Sequence, residues 1–252
     1  MSEALRIEKL GHSYGKFKVI EDISLSISKG EMSALIGPNG AGKTTFYNAI
    51  SGQFPPTRGK VFLAGEEITG LPSHRVVDKG MCRSFQITNI FAELTVAENV
   101  FSPLIIQQKK HFKLYGNVFK DKQVTEKAMH TLEQVGLLDR ADHVVANLAY
   151  GDKRLVEMAI VLAREPSVVL LDEPTAGMNP EETENMIELI RKLAKNSGTT
   201  FFITEHDMKV VFSLAEKIYV LHQGHLLAQG NPAEIRSNAQ VQEAYLGRKV
   251  NA

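Results

Sequence analysis

At 252 residues, with 43% hydrophobic and 23% charged side chains, the chain has the length and composition of a globular protein with a real core, not of a disordered or membrane-spanning one. Its 29 basic and 29 acidic residues cancel, so no global field draws it to nucleic acid or an anionic bilayer. No apolar run approaches the roughly 18 to 20 residues of a membrane helix, the start MSEALRIEKL lacks a signal-peptide pattern, and the single cysteine, Cys82, can form no internal disulfide, so a cytoplasmic chain with one small buried thiol is expected.

In chain order, the first thirty residues read as strands. Ser24 to Ser28 alternates polar and apolar, as in a half-exposed antiparallel sheet, and Glu31 to Ile36 runs into a glycine-rich turn. Helical character follows over Lys43 to Ser51, and a strand over Lys60 to Leu63 before the Ala64-Gly65 break. From Val96 to about Arg164 the pattern is mostly helical, with Val124 to Val135 and Asp152 to Leu162 carrying apolar residues three and four apart. Val168 to Leu171 is wholly apolar, as in a central parallel strand, and is followed by a helix at Glu181 to Lys195 and a strand at Thr199 to Thr204. YVLHQGHLLAQG reads as two strands around Gln223-Gly224, and short helices are predicted after Pro232 and Asn238.

GPNGAGKTT fits the phosphate-loop pattern, so Gly37, Pro38, Asn39, Gly40, Ala41, Gly42, Lys43, Thr44 and Thr45 are candidate nucleotide-binding residues. Glycines let the backbone wrap with its amides inward, and the helix starting near Lys43 offers the positive end of its dipole. Lys43 meets β- and γ-phosphate charge, and the Thr44 hydroxyl can ligate Mg²⁺. VVLLDEP then sets two carboxylates at the end of an apolar strand: Asp172 to hold a water on Mg²⁺, Glu173 to polarise or deprotonate the attacking water. TFFITEH brings His206 to the end of another core strand as a γ-phosphate sensor. The base-reading Asn-Lys-x-Asp tetrad of GTPases does not occur.

These elements, in this order, resemble the ABC-transporter ATPase family over nearly the whole chain. Gln86 in RSFQITNIF is similar to the family's Q-loop glutamine, which senses Mg²⁺ and nucleotide. LAYGD at Leu148 to Asp152 stands where the family has its LSGGQ signature, AGMN resembles the D-loop, and Tyr14 matches the aromatic that stacks on adenine. NLAYGDKRLVEMA, DEPTAGMNP, EHDMKVV and EAYLG look most like branched-chain amino acid importers, with urea and amide cassettes as close neighbours. A soluble ABC ATPase is the rival, though this chain has neither a second cassette nor a coiled-coil or zinc insertion.

The resemblance implies an α/β phosphate-loop NTPase core of RecA-like type, with an antiparallel β subdomain and a helical subdomain inserted at about 90–165 of a single domain, 1–252. It implies ATP and Mg²⁺ as ligands and two permease subunits as partners, served from outside by a solute-binding protein. A second ABC ATPase subunit, more in keeping with a heterodimer than a homodimer, and a peripheral position on the cytoplasmic membrane face complete the expectation, with no nucleic acid partner.

The signature departs from the common pattern: Ala149 replaces serine, Tyr150 glycine and Asp152 glutamine, while Gly151 keeps the phosphate-approach position. An Asp152 carboxylate facing the partner's nucleotide would repel it unless Lys153 turned inward, which would make the two sites unequal. The stretch Lys109 to Lys122, with five lysines and the single Asp121, is a candidate contact for lipid headgroups or the permease rim.

Overall fold

The computed structural model describes residues 2–84, 90–107 and 121–246. β1 (Glu3–Tyr14) and β2 (Phe17–Ser28) form a long antiparallel hairpin, extended past β1 by β4 (Arg58–Leu63) and the two-residue β5 (Glu66–Glu67). Leu5 and Ile7 point inward while Arg6 and Glu8 pair on the other face, the alternation a half-exposed sheet requires. The register shifts between Ile7 and Leu10, where Lys9 adopts a positive φ of 45°.

A second sheet carries the site. β3 (Met32–Ile36), β6 (Met81–Arg83), β7 (Val168–Asp172), β8 (Thr200–Thr204) and β9 (Lys217–His222) run parallel, and β10 (His225–Gly230) returns antiparallel. The order is β10-β9-β3-β8-β7-β6. Its central strands are buried on both faces, which is why they read as unbroken apolar runs. Val169, Leu171, Phe201 and Ile203 pack into one core, and Val168, Leu170 and Phe202 into the other, with the antiparallel sheet.

The helices are α1 (Lys43–Ile50), α2 (Ser73–Asp78), α3 (Val96–Gln107), α4 (Lys122–Gln134), α5 (Tyr150–Leu162), α6 (Pro180–Ser197), α7 (Met208–Leu214), α8 (Pro232–Ser237) and α9 (Ala239–Leu246). α3, α4 and α5 lie between β6 and β7 in the chain. Val124, Ala128 and Leu132 of α4 bury one stripe, and the Asp121 side chain accepts from the amides of Gln123 and Val124 at its start. α6 opens on a capping box between Asn179 and Glu182, with Pro180 in its first turn, and closes on Gly198 at a φ of 65°. α2 and β6 have no counterpart in the sequence reading. Cys82, in β6, is buried, and burial pushes its thiol up to about 11 against the pull of Arg164.

Candidate active site

β3 ends into the glycine-rich loop, β7 ends at Asp172 and β8 at Thr204, and the register pairs Leu35 and Asp172 alike with Thr204. Parallel strands deliver their carboxyl ends to one edge, so their loops meet there. They enclose a cleft of about 380 Å³ lined by Asn39 to Thr45, Asp172, Glu173, Thr204 and His206, with Val19 reaching in from β2.

The loop's shape depends on its glycines. A Cβ on Gly37 would collide with the carbonyl of Leu221, and one on Gly42, at a φ of 102°, would fall 2.6 Å from Ile20 Cγ2. Gly42 is also the N-cap of α1 and supplies no side-chain bond, which leaves first-turn amides open to an anion. The Gln223-Gly224 turn, with both φ angles positive, braces the loop from behind. Gly224 donates its amide to the Ala41 carbonyl at 3.1 Å and accepts from Glu21 at 2.8 Å. Tyr245 of α9 reaches the backbone of Gly37, and burial pushes its phenol up to about 12 while that hydrogen bond pulls it down.

Lys43 Nζ donates to the carbonyls of Gly37 at 2.6 Å and Pro38 at 3.2 Å. Burial lowers the pKa of this amine, while the carboxylates of Glu173 and Asp172 act the other way. Asp172 is held at both oxygens: Oδ1 accepts from Thr204 Oγ1 at 2.6 Å and Oδ2 from Arg83 at 2.7 Å. Arg83 also donates to Asn48 Oδ1 of α1 at 2.6 Å, so one guanidinium ties the helix behind the loop to the strand-end carboxylate.

Among the described residues no group of three or more His, Cys, Asp or Glu side chains could hold a metal ion. The oxygen donors in the cleft include the Thr44 hydroxyl and the Asp172 carboxylate. That set fits Mg²⁺, which binds one or two carboxylates together with phosphate oxygens and water rather than a protein cage.

Glu173 follows with φ at 51°, a conformation rare for a residue with a side chain, and its amide donates to the Thr204 carbonyl at 2.9 Å. His206 Nε2 lies 2.8 Å from Glu173 Oε1. Three residues that sequence reasoning passed over support this group. Arg83 sits at the end of a three-residue strand with no periodicity to mark it. Thr204 and Glu205 lie inside TFFITEH, where the histidine carried the signal; Glu205 is nevertheless buried.

Tyr14 and Gly151 are not among the residues that line the cleft. Tyr14 ends β1, 55% exposed, in edge contact with His12 at 4.8 Å and Phe54 at 6.0 Å between ring centres. Gln86 falls outside the described residues, as do residues 109–120 of the basic stretch. Gly151 is buried in the first turn of α5, where a Cβ would come within 2.8 Å of Glu182 Oε1. Lys153 Nζ donates to the Ala146 carbonyl at 3.0 Å, and the cation that pairs with Asp152 is Arg140. Tyr150 donates its hydroxyl to the Ala176 carbonyl at 3.0 Å.

Comparison with known proteins places this geometry. Residues 20–176 match the ABC transporter family model, and residues 225–250 match that of the branched-chain amino acid ATP-binding cassette transporter. The chain is 39% identical to the high-affinity branched-chain amino acid transport ATP-binding protein LivG of Salmonella typhimurium, over 96% of this chain and 97% of that protein. Among solved structures it is similar to the ADP conformation of MJ1267, an ATP-binding cassette of an ABC transporter, with a TM-score of 0.88 at 29% identity, covering 98% of this chain and 100% of that one. The dimeric post-hydrolysis state of the cassette MJ0796, bound to ADP and Pi, matches with a TM-score of 0.76 at 25% identity, over 90% of this chain and 98% of that one.

Proposed function

Because the chain belongs to the ABC transporter family of ATP-binding cassettes and is an ATPase of that kind, we propose that it powers the import of branched-chain amino acids. Convergence of Lys43, Asp172, Glu173 and His206 on one cleft supports the hydrolytic half of the proposal. Similarity to LivG along nearly the whole chain, with the separate match over residues 225–250, supports the solute.

In this reading the amides from Gly37 to Thr45 cradle the phosphates of ATP, Lys43 leaves its two carbonyls for the β- and γ-oxygens, and Tyr14 stacks on the adenine. Thr44, Asp172 and Gln86 would hold Mg²⁺, which would neutralise charge on the phosphates. Glu173 accepts a proton from the attacking water or polarises it, and His206, already at its side, contacts the γ-phosphate. Gly151 and its neighbours serve the nucleotide of a second cassette. With Asp152 paired to Arg140, the charge set against that nucleotide is partly offset.

Cassettes of this family work as dimers with permease subunits, and among the described residues no helix is long and apolar enough to cross a membrane. The finer reading is a peripheral subunit at the cytoplasmic face, beside a separately encoded second cassette, with solute delivered by an external binding protein. Deleting the chain should abolish uptake of labelled leucine, isoleucine and valine, and the tagged chain should copurify with integral membrane subunits. Lost urea or amide uptake instead would change the solute, and the absence of membrane partners would remove the transport role.

A further inference from the structure

We propose that Glu205 is a positioning residue that sets the alignment of Glu173 and His206 without itself touching nucleotide. This inference rests on the reading of Glu173 as the group that acts on water. Glu205 follows β8 and is only 4% exposed. Its Oε1 accepts from the Thr175 amide at 2.9 Å and the Thr175 hydroxyl at 2.6 Å, and its Oε2 accepts from the His206 amide at 3.1 Å. No lysine, arginine or histidine pairs with it among the described residues, so three neutral donors offset the burial of the carboxylate.

These bonds form part of a lacing between two strand ends. Thr204 holds Asp172 Oδ1 through its hydroxyl and the Glu173 amide through its carbonyl; Glu205 holds Thr175, two residues beyond Glu173. The same carboxylate fixes the backbone of His206, whose ring meets Glu173 at 2.8 Å. Glu173 thus sits at its φ of 51° between two anchored neighbours, and a strained backbone persists only where its surroundings over-determine it.

A side chain that joins both loops must accept on both sides. A carboxylate does so with its two oxygens, whereas glutamine has one acceptor oxygen and an amide nitrogen that can only donate. Glu205→Gln therefore keeps the volume but can no longer accept from the Thr175 and His206 amides on separate oxygens, so at least one of these bonds is lost. Small misplacement of a reacting group is costly in rate, so we expect kcat to fall roughly 10- to 100-fold. The ATP dissociation constant should stay within about twofold, since the loop from Gly37 to Thr45 makes none of these bonds.

The test compares the full chain with Glu205→Gln, Thr175→Val, Thr175→Ser, the Glu205→Gln/Thr175→Val double variant and Glu173→Gln. Steady-state kcat, ATP affinity by titration and thermal midpoint are measured for each. Thr175→Val should slow turnover, Thr175→Ser should restore it, and the double variant should be no slower than Glu205→Gln alone, because both act through one contact. Wild-type kcat in Glu205→Gln and Thr175→Val beside a slow Glu173→Gln overturns the positioning role. So does a loss of ATP affinity and thermal midpoint in step with kcat in both, which marks general damage. Normal turnover in Glu173→Gln instead overturns the assignment of the base, and this inference with it.

Discussion

The imidazole of His206 and the carboxylate of Glu173 are in contact at 2.8 Å, although one stands at the end of β8 and the other just past β7. Groups in contact couple energetically, and where two act as a unit the loss of either approaches the loss of both. His206→Ala, Glu173→Gln and the double variant should therefore show similar residual kcat, far above the product of the two single losses. Turnover measured in parallel for the three variants decides the matter, and multiplicative losses would mean the contact is idle.

Lys43→Ala should abolish nucleotide binding rather than chemistry, because it removes an ammonium that lines the cleft beside the glycine-rich loop. A ligand present at about 100 times its dissociation constant stabilises a protein by about 2.7 kcal/mol. ATP should give that thermal stabilisation in the wild-type chain and none in Lys43→Ala.

Tyr14 stands exposed at the end of β1, its ring in T-shaped contact with His12 and Phe54. Tyr14→Ala should weaken ATP binding by about 1–3 kcal/mol, the range for base–aromatic stacking, while Tyr14→Trp is tolerated. GTP should be only modestly disfavoured, since stacking reads a flat face. Wild-type affinity in Tyr14→Ala, measured by titration, would reject the stack.

Inside α5, Arg154 donates to Glu157 at 2.9 Å, both nearly buried. Burial raises the Glu157 carboxyl, and Arg154 pulls it back. A carboxyl raised on folding contributes stability that is fully present below its unfolded pKa and is lost as pH rises through the folded one. Glu157→Ala should destabilise the fold by removing the carboxylate that faces the buried guanidinium, whereas Arg154→Met with Glu157→Leu should come close to wild type. The joint replacement should also remove the part of the stability that falls as pH rises through the folded Glu157 carboxyl. Denaturant midpoints across pH 4 to 7 measure both effects.

Much of this was legible in the sequence because it rests on local rules. The apolar run Val168 to Leu171, the glycines of the phosphate loop and the Gln223-Gly224 turn each announce a structure that their neighbours alone dictate. Glu205 and Arg83 do not. A glutamate beside a histidine at a strand end reads as solvent-facing until Thr175, thirty residues earlier, is seen to donate to it twice. Arg83 becomes a partner of Asp172 only when β6 docks beside β7. Likewise, Asp152 looked like a bare charge because Arg140 approaches it from outside the helix.

ATP turnover in Glu173→Gln tests the central claim most directly. The full chain should keep wild-type ATP affinity while hydrolysis slows by on the order of 10²- to 10⁴-fold, the usual loss when a positioned base is removed. Bound ATP should then remain unhydrolysed in a single-turnover experiment long after the wild-type chain has released ADP and phosphate. Single-turnover hydrolysis at the wild-type rate, with ATP binding intact, would show that another group acts on the water.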